Sequence, residues 1–457
     1  MAAKRPASVV LHLLMPHRLL QLMINHSDGF AAMLWTICFP DGQRQTNGTH
    51  QKPLRALLYC DEVVPGNAMD PANSRTFLTY FWSFLEFGRW CLMNSWAWLC
   101  STTVRSEVIK YIDGGYSCIT SCVLKELLVN SGWALNGLLF DFPCRGQVRI
   151  HIKFHAFIAD EAALHMSLGL KGASSNKLCH KHQNITRKGA NLIGDGYHIP
   201  HDCADHSLMI EATDDDIFFS ADTMVAATAM TNDKTKIEQL EVAFGINYSQ
   251  HGPLFDRELR PWLRLVTGSR YDPMHTWFSN GIVQVEMATF MQHAKENLTN
   301  PPAWEHLAAI CSADWRFPGE AHLKKSRTLA ANMFRERKIS AEGFPRLSAA
   351  ECLLALHLIG YFMQRVVCNT PGVLPVLQRQ IDSVLAMCKA GLTSQSVKRG
   401  VATSRELAAL SAKYLAARNQ AYPGVDAKPK HHFMMDLPKQ VDDDDGLALD
   451  CFPREKA

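Results

Sequence analysis

Two aspartates stand where an apolar run gives way to a polar break. Asp61 follows Leu54-Arg-Ala-Leu-Leu-Tyr-Cys60, and Asp160 follows the stretch 149–159. A carboxylate at a strand end is held rigidly at the rim of a sheet, and two from neighbouring strands can share divalent cations. Mg²⁺ favours sites with few carboxylates, which leave positions for water and phosphate oxygens. Two such ions about 3.5–4 Å apart can activate an attacking oxygen and stabilise a leaving one. The plainer alternative is that each Asp begins a turn or caps a helix. Glu351, in Ser348-Ala-Ala-Glu351, offers a third carboxylate from the first turn of a helix. The same Ser-x-x-Glu spacing is a capping box, in which the Glu reaches back to the N-cap amide. The two roles are compatible.

Softer ligands gather in Cys179-His180-Lys181-His182. A Cys-x-x-His pair supplies two ligands of a tetrahedral zinc site and needs a second pair. Candidates are Asp272-Pro-Met-His275, or His201, Cys203 and His206. Asp272 also reads as an N-cap ahead of Pro273 at the first helical position. Near the end, Lys428-Pro-Lys-His-His432 suits a nucleic-acid backbone through Lys428, Lys430 and His431, or forms a solvated basic loop.

The elements that must position these residues follow from periodicity. Residues 54–60 read as a buried strand, with a turn signal at Pro65-Gly66-Asn67. In 149–159, Arg149, His151, Lys153 and His155 alternate with Ile150, Ile152, Phe154 and Ala156, which is the period of a strand. The pattern turns fully apolar at Phe157 and Ile158, and Glu161–Leu170 then reads as a helix. An amphipathic stretch covers Leu11–Ile24, and the aromatic-rich 77–100 belongs in the core. Strong helical patterns cover 348–367 and 376–420. The organisation expected is an N-terminal segment 1–53, a first core part 54–171, a Cys/His-bearing insertion 172–279, a helical remainder 280–422 and a loop-like tail 423–457. The fold class is α/β, a mixed sheet flanked by helices with a mainly helical C-terminal region.

Composition sets outer bounds. The chain has 457 residues, 47% hydrophobic and 20% charged, with formal net charge +3. Its pI of about 8.2 permits a DNA partner without arguing for one. The 14 cysteines are scattered, and no secretory signal is recognisable, so thiols or metal ligands are expected rather than a disulfide framework. No uninterrupted apolar run nears the ~18 residues of a membrane span, so no membrane partner is expected.

Taken in order, these segments resemble the CACTA (En/Spm-like) transposases. Leu58-Tyr-Cys-Asp61-Glu-Val-Val-Pro-Gly-Asn67 is similar to that family's first catalytic Asp segment, and Phe157-Ile-Ala-Asp160-Glu-Ala-Ala to the second. Lys171-Gly-Ala-Ser-Ser-Asn-Lys-Leu-Cys179-His-Lys-His182-Gln-Asn184 resembles the Cys-x-x-Cys element that opens the family's insertion. Tyr271-Asp272-Pro-Met-His275-Thr-Trp-Phe-Ser-Asn-Gly281 resembles its Asp-x-x-His element, and Ser348-Ala-Ala-Glu351-Cys-Leu its catalytic-Glu helix. Lys428-Pro-Lys-His-His432 with Cys451-Phe-Pro-Arg-Glu455 resembles a C-terminal signature. The resemblance runs from about Leu54 to the end.

The resemblance implies an RNase H-like core in which Asp61, Asp160 and Glu351 form a DDE triad holding two Mg²⁺ (or Mn²⁺) ions. It also implies cleavage of a double-stranded DNA partner, attack of the freed 3′-hydroxyl on target DNA, and a nuclear location. No small-molecule cofactor is expected, and assembly of several copies stays open. Zn²⁺ would be held by Cys179, His182 and His275, with Asp272 as the fourth ligand, pinning the insertion to the core. There are departures: His182 replaces the family's second Cys, and Asp436 stands where its C-terminal signature has a His. The chain ends at Ala457 where relatives continue, and only about fifty residues precede the first catalytic strand. These departures support the alternative of a catalytically inactive, transposon-derived DNA- or protein-binding protein.

Overall fold

The computed structural model describes residues 10–63, 76–231, 233–303, 305–306, 309 and 347–450. The turn signal at Pro65-Gly66-Asn67 and the segment Cys451–Glu455 lie outside the described residues. The chain divides into two compact units.

The first unit opens with helices α1 (Pro16–His26) and α2 (Asp28–Cys38), the second capped by Ser27, whose side chain accepts from the Phe30 amide. Then come β1 (Leu54–Val63), β2 (Phe77–Phe84) and β3 (Leu99–Arg105), followed by α3 (Gly115–Lys125). A hairpin of β4 (Leu138–Phe142) and β5 (Gly146–Ile150) leads into β6 (Ile152–Ala159) and α4 (Glu161–Leu168). The expected strand 149–159 is therefore broken at His151: its start pairs with β4 and its remainder with β1. Alternation holds across the break, with Ile150, Ile152, Phe154 and Ala156 buried while Arg149 and Lys153 are exposed. Helices α5 (Asp214–Met230) and α6 (Lys234–Phe244) precede β7 (Ser269–Tyr271).

Five strands make one mixed sheet in the order β3-β2-β1-β6-β7. Strand β2 runs antiparallel to its neighbours β1 and β3, whereas β1 and β6 run parallel. A parallel pair needs both faces covered, and both strands read as continuous buried runs, Ala56–Cys60 and Ala156–Ala159. Two contacts identify the helices on one face. The Tyr80 hydroxyl lies 2.7 Å from Thr120 Oγ1 on α3, and Cys60 Sγ lies 3.5 Å from Ser167 Oγ on α4. The other face carries Tyr59, stacked on Phe81 at 5.7 Å. The sheet thus resumes at Ser269, inside the segment read from sequence as an insertion ending at 279.

The second unit is helical. Its helices are α7 (Pro273–Trp277), α8 (Ile282–Asn297), α9 (Ala349–Phe362), α10 (Leu374–Lys398), α11 (Ser404–Ala421) and α12 (Pro429–Asp443). Helix α12 overturns the expected loop-like tail. Pro429 sits at its first turn, where a missing N–H costs nothing, and Phe433, Met434 and Leu437 are fully buried or nearly so. Ala349–Val367 is, among the described residues, the one helical stretch long and apolar enough to cross a membrane. Sequence reading passed over it because Glu351, His357, Gln364 and Arg365 interrupt the run. Within the unit it packs against α10, burying Cys352, Leu356 and Ile359.

A buried polar chain organises this unit. Ser383 donates to Glu286 Oε1 at 2.5 Å, the Tyr414 hydroxyl donates to Oε2 at 3.1 Å, and Arg418 Nε lies 3.8 Å from Oε2. His431 Nε2 is 3.2 Å from the Tyr414 hydroxyl, and the Lys428 amide donates to His431 Nδ1 at 3.1 Å. Burial raises the Glu286 pKa, and the serine, arginine and tyrosine oppose that shift. Such a network stabilises only when its members are satisfied together.

Two residues beside the Asp160 strand end give a stability test. Burial pushes the His165 imidazole down to about 4, opposed by the Asp160 charge. The unfolded chain protonates this histidine near 6.5. Between these values the unfolded state binds more protons, so stability falls as pH drops from about 6.5 to 4. The contribution is about 3 kcal/mol at most, and His165→Gln should flatten that part of a urea-midpoint profile. Gly172 has φ +57°, and a Cβ there would sit 2.3 Å from His165 Nδ1. Gly172→Ala should cost about 2 kcal/mol or more by the same measurement.

Candidate metal centre

Asp61 lies two residues before the end of β1, still paired with Thr79 of β2, so the strand runs past the point where the sequence pattern ended it, and Asp160 directly follows β6. The register pairs Leu57 with Ala156, Leu58 with Phe157 and Tyr59 with Ile158. The parallel pairing ends at Tyr59 and Ile158, two residues before Asp61 and Asp160 respectively. Each is already oriented. The Tyr59 hydroxyl donates to Asp61 Oδ2 at 2.6 Å, and Asp160 caps α4 by accepting from the Ala163 amide at 2.6 Å. Asp160 therefore fills the helix-capping role open to it from sequence, which engages Oδ1.

Glu351 lies at the third position of α9. Its Oε2 accepts from the Ser348 amide at 2.8 Å and the Ser348 hydroxyl at 3.0 Å, while the Ser348 hydroxyl accepts from the Glu351 amide at 3.3 Å. The capping box is thus formed.

Two buried donor pairs are present, Cys179 with His182 in the first unit and His432 with Asp436 in the second, and each offers ligand atoms for a metal ion. Within the first pair, Cys179 Sγ is 3.5 Å from His182 Nδ1, and the Lys181 amide donates to the sulfur at 3.3 Å. The local chain is fixed by backbone pairing. Lys181 O accepts from Ala212, Gln183 donates to Ile210 O, and Asn184 Oδ1 accepts from the Ile210 amide. Lys181 Nζ donates to Val266 O and Ser269 O at 3.1 and 2.7 Å. Within the second pair, spacing i, i+4 puts His432 and Asp436 on one face of α12, with Nε2 and Oδ2 4.0 Å apart.

The expected partners Asp272 and His275 are engaged otherwise. Asp272 caps α7, accepting from the Met274 and His275 amides, and its carboxylate also bonds His275 Nδ1. Of the other candidates, His201 Nε2 contacts Ala427 O at 2.9 Å, and Cys203 Sγ faces Asp205 O. Cys179 and His182, the first pair expected from sequence, lie together, and sequence reading did not single out His432-x-x-x-Asp436, which one helical turn brings together on α12.

The proposed nucleic-acid contacts are also redirected. Lys430 Nζ donates to the carbonyls of His275, Ser279 and Asn280 at 2.9–3.2 Å, capping the end of α7. His431 is fully buried against Tyr414, and burial drives its pKa down to about 3, so its ring is neutral and turned away from solvent. Lys428 is the N-cap residue of α12. A basic run read as a surface loop is instead the start of a core helix.

No protein-family model matches the chain, and no curated protein matches it.

Two outcomes check the centre. Elemental analysis of purified protein should find about one transition-metal ion per chain, lost in Cys179→Ser and in His182→Ala. Lys430→Gln should lower thermal stability by about 1 kcal/mol, the scale of lost hydrogen bonds to carbonyls.

Proposed function

We propose that this chain is an RNase H-like protein that carries out metal-dependent DNA strand cleavage and strand transfer, as the resemblance to CACTA transposases implies. The observation that carries this reading is the parallel pairing of β1 with β6, which stops two residues before Asp61 on one strand and two before Asp160 on the other, in a sheet of order β3-β2-β1-β6-β7. Hard carboxylate oxygens at that rim fit Mg²⁺ or Mn²⁺. Such ions, when bound, supply the charge that activates an attacking oxygen and stabilises a leaving one. The residues of the chain do the positioning. The Tyr59 hydroxyl holds one oxygen of Asp61, and the Ala163 amide holds one oxygen of Asp160. Glu351 serves as third carboxylate by the resemblance, and double-stranded DNA is the substrate.

The buried pair Cys179 and His182 is assigned to Zn²⁺ as two of its ligands. Tetrahedral zinc with bonds of about 2.0–2.3 Å spaces its ligand atoms about 3.3–3.8 Å apart, and the 3.5 Å between Cys179 Sγ and His182 Nδ1 falls in that range.

One observation favours a second reading, a catalytically inactive DNA- or protein-binding descendant: Glu351 Oε2 is already committed to the capping box. Plasmid nicking with Mg²⁺ or Mn²⁺ separates the two. The first reading expects nicking that falls to the metal-free level in Asp61→Asn, Asp160→Asn and Glu351→Gln, with folding retained. Absence of nicking by the wild type, or its persistence in Asp160→Asn, hands the case to the second.

A further inference from the structure

Helix α5 presents two contrasting faces. Ile217, Ala221 and Met224, at spacings of four and three, are its buried residues and share one face. The opposite stripe holds Asp215, Phe219, Thr223, Ala226 and Met230, again at spacings of four and three. Phe219 is 72% exposed and Met230 88%. Asp215 and Ala226 are exposed as well, and Thr223 is half-buried. Helix α6 packs against α5 but buries none of its own residues. Large apolar side chains aligned on an exposed helix face mark an interaction surface.

The charges at the two ends of the stripe say what fits it. Three of the four aspartates on α5 are engaged within the unit. Asp214 accepts from the Val266 amide at 2.8 Å, Asp216 from the Thr213 amide at 2.7 Å and Gln183 at 2.9 Å, and Asp222 pairs with Arg260 at 2.9 Å. Asp215 is the fourth, and it has no partner among the described residues. Beyond Met230, Asp233 caps α6 and lies 4.0 Å from Lys236 Nζ, whereas Lys234 is exposed and has no partner among the described residues. The apolar stripe therefore runs from an unpaired acid to an unpaired base.

We propose that this face docks on the same face of a second copy of the chain, with the two α5 helices antiparallel about a two-fold axis between Thr223 and Ala226. Such a contact is isologous, so every pairing occurs twice. Phe219 meets the partner's Met230, a sulfur–aromatic contact. Thr223 and Ala226 at the axis are small enough to let the helices approach closely. Asp215 comes to the end of the partner's hairpin that carries Lys234, so opposite charges meet. A parallel arrangement would bring like charges together at both ends, and charge thus selects the antiparallel one. One face of a 17-residue helix is small for a permanent dimer, so the association is reversible and concentration-dependent.

The test is sedimentation velocity of the full-length protein over a concentration series. The wild type should move from the 51.2 kDa chain mass toward twice that mass as concentration rises. Phe219→Glu should weaken association at least about tenfold. Asp215→Lys and Lys234→Asp should each weaken it, and the double reversal should recover most of the loss, because the pairing runs between subunits. Circular dichroism of each variant confirms that its helix content is kept. A wild type that stays at the monomer mass, a dimer unmoved by Phe219→Glu, or a double reversal no tighter than the single ones overturns the proposal.

Discussion

The parallel pairing of β1 with β6 is the constraint on which the rest of the sheet and its rim depend. A parallel pair cannot be closed by a tight hairpin, so the chain must travel through β2, β3, α3 and the β4–β5 hairpin before β6 can lie beside β1. That detour supplies the helix α3 that covers one face. The pairing also fixes register, since a slip of one residue would exchange the faces of the side chains of one strand relative to the other. A bulge at His155 adjusts the register once, between Ala56 and Leu57. Beyond it the two strands stay paired as far as Tyr59 and Ile158.

Much of this was legible in the sequence because burial leaves a direct imprint on composition. Strand β1 shows as an unbroken apolar run, β6 as alternation turning fully apolar, and α9 as a Ser-x-x-Glu cap ahead of apolar turns. The break at His151 was not legible, because a change of pairing partner leaves the alternation intact. Strand β7 was missed because three residues, Ser269–Tyr271, carry no periodicity of their own. Helix α12 was misread because its prolines and its Lys-Pro-Lys-His-His start look like loop chemistry. Its burial is set by tertiary packing, including the stack of Phe433 on Tyr271 at 4.1 Å, which no local pattern encodes.

The buried polar groups follow the same logic as the register. His431 and His432 are neighbours in sequence with different tasks: one completes a hydrogen-bond chain to Glu286, the other turns toward Asp436. Adjacent helical positions point about 100° apart, so one dipeptide serves two polar sites. Asp272 is engaged locally, accepting from the Met274 and His275 amides and bonding His275 Nδ1.

The central claim is that Asp61 and Asp160 share a divalent cation at the sheet rim. Anomalous scattering from crystals soaked in Mn²⁺ tests it most directly. The account predicts a peak within about 2.2 Å of one oxygen from each carboxylate, a distance close to that of hard divalent ions and oxygen ligands. Mn²⁺ density touching only one of the two, or none at that rim while other sites fill, would contradict it.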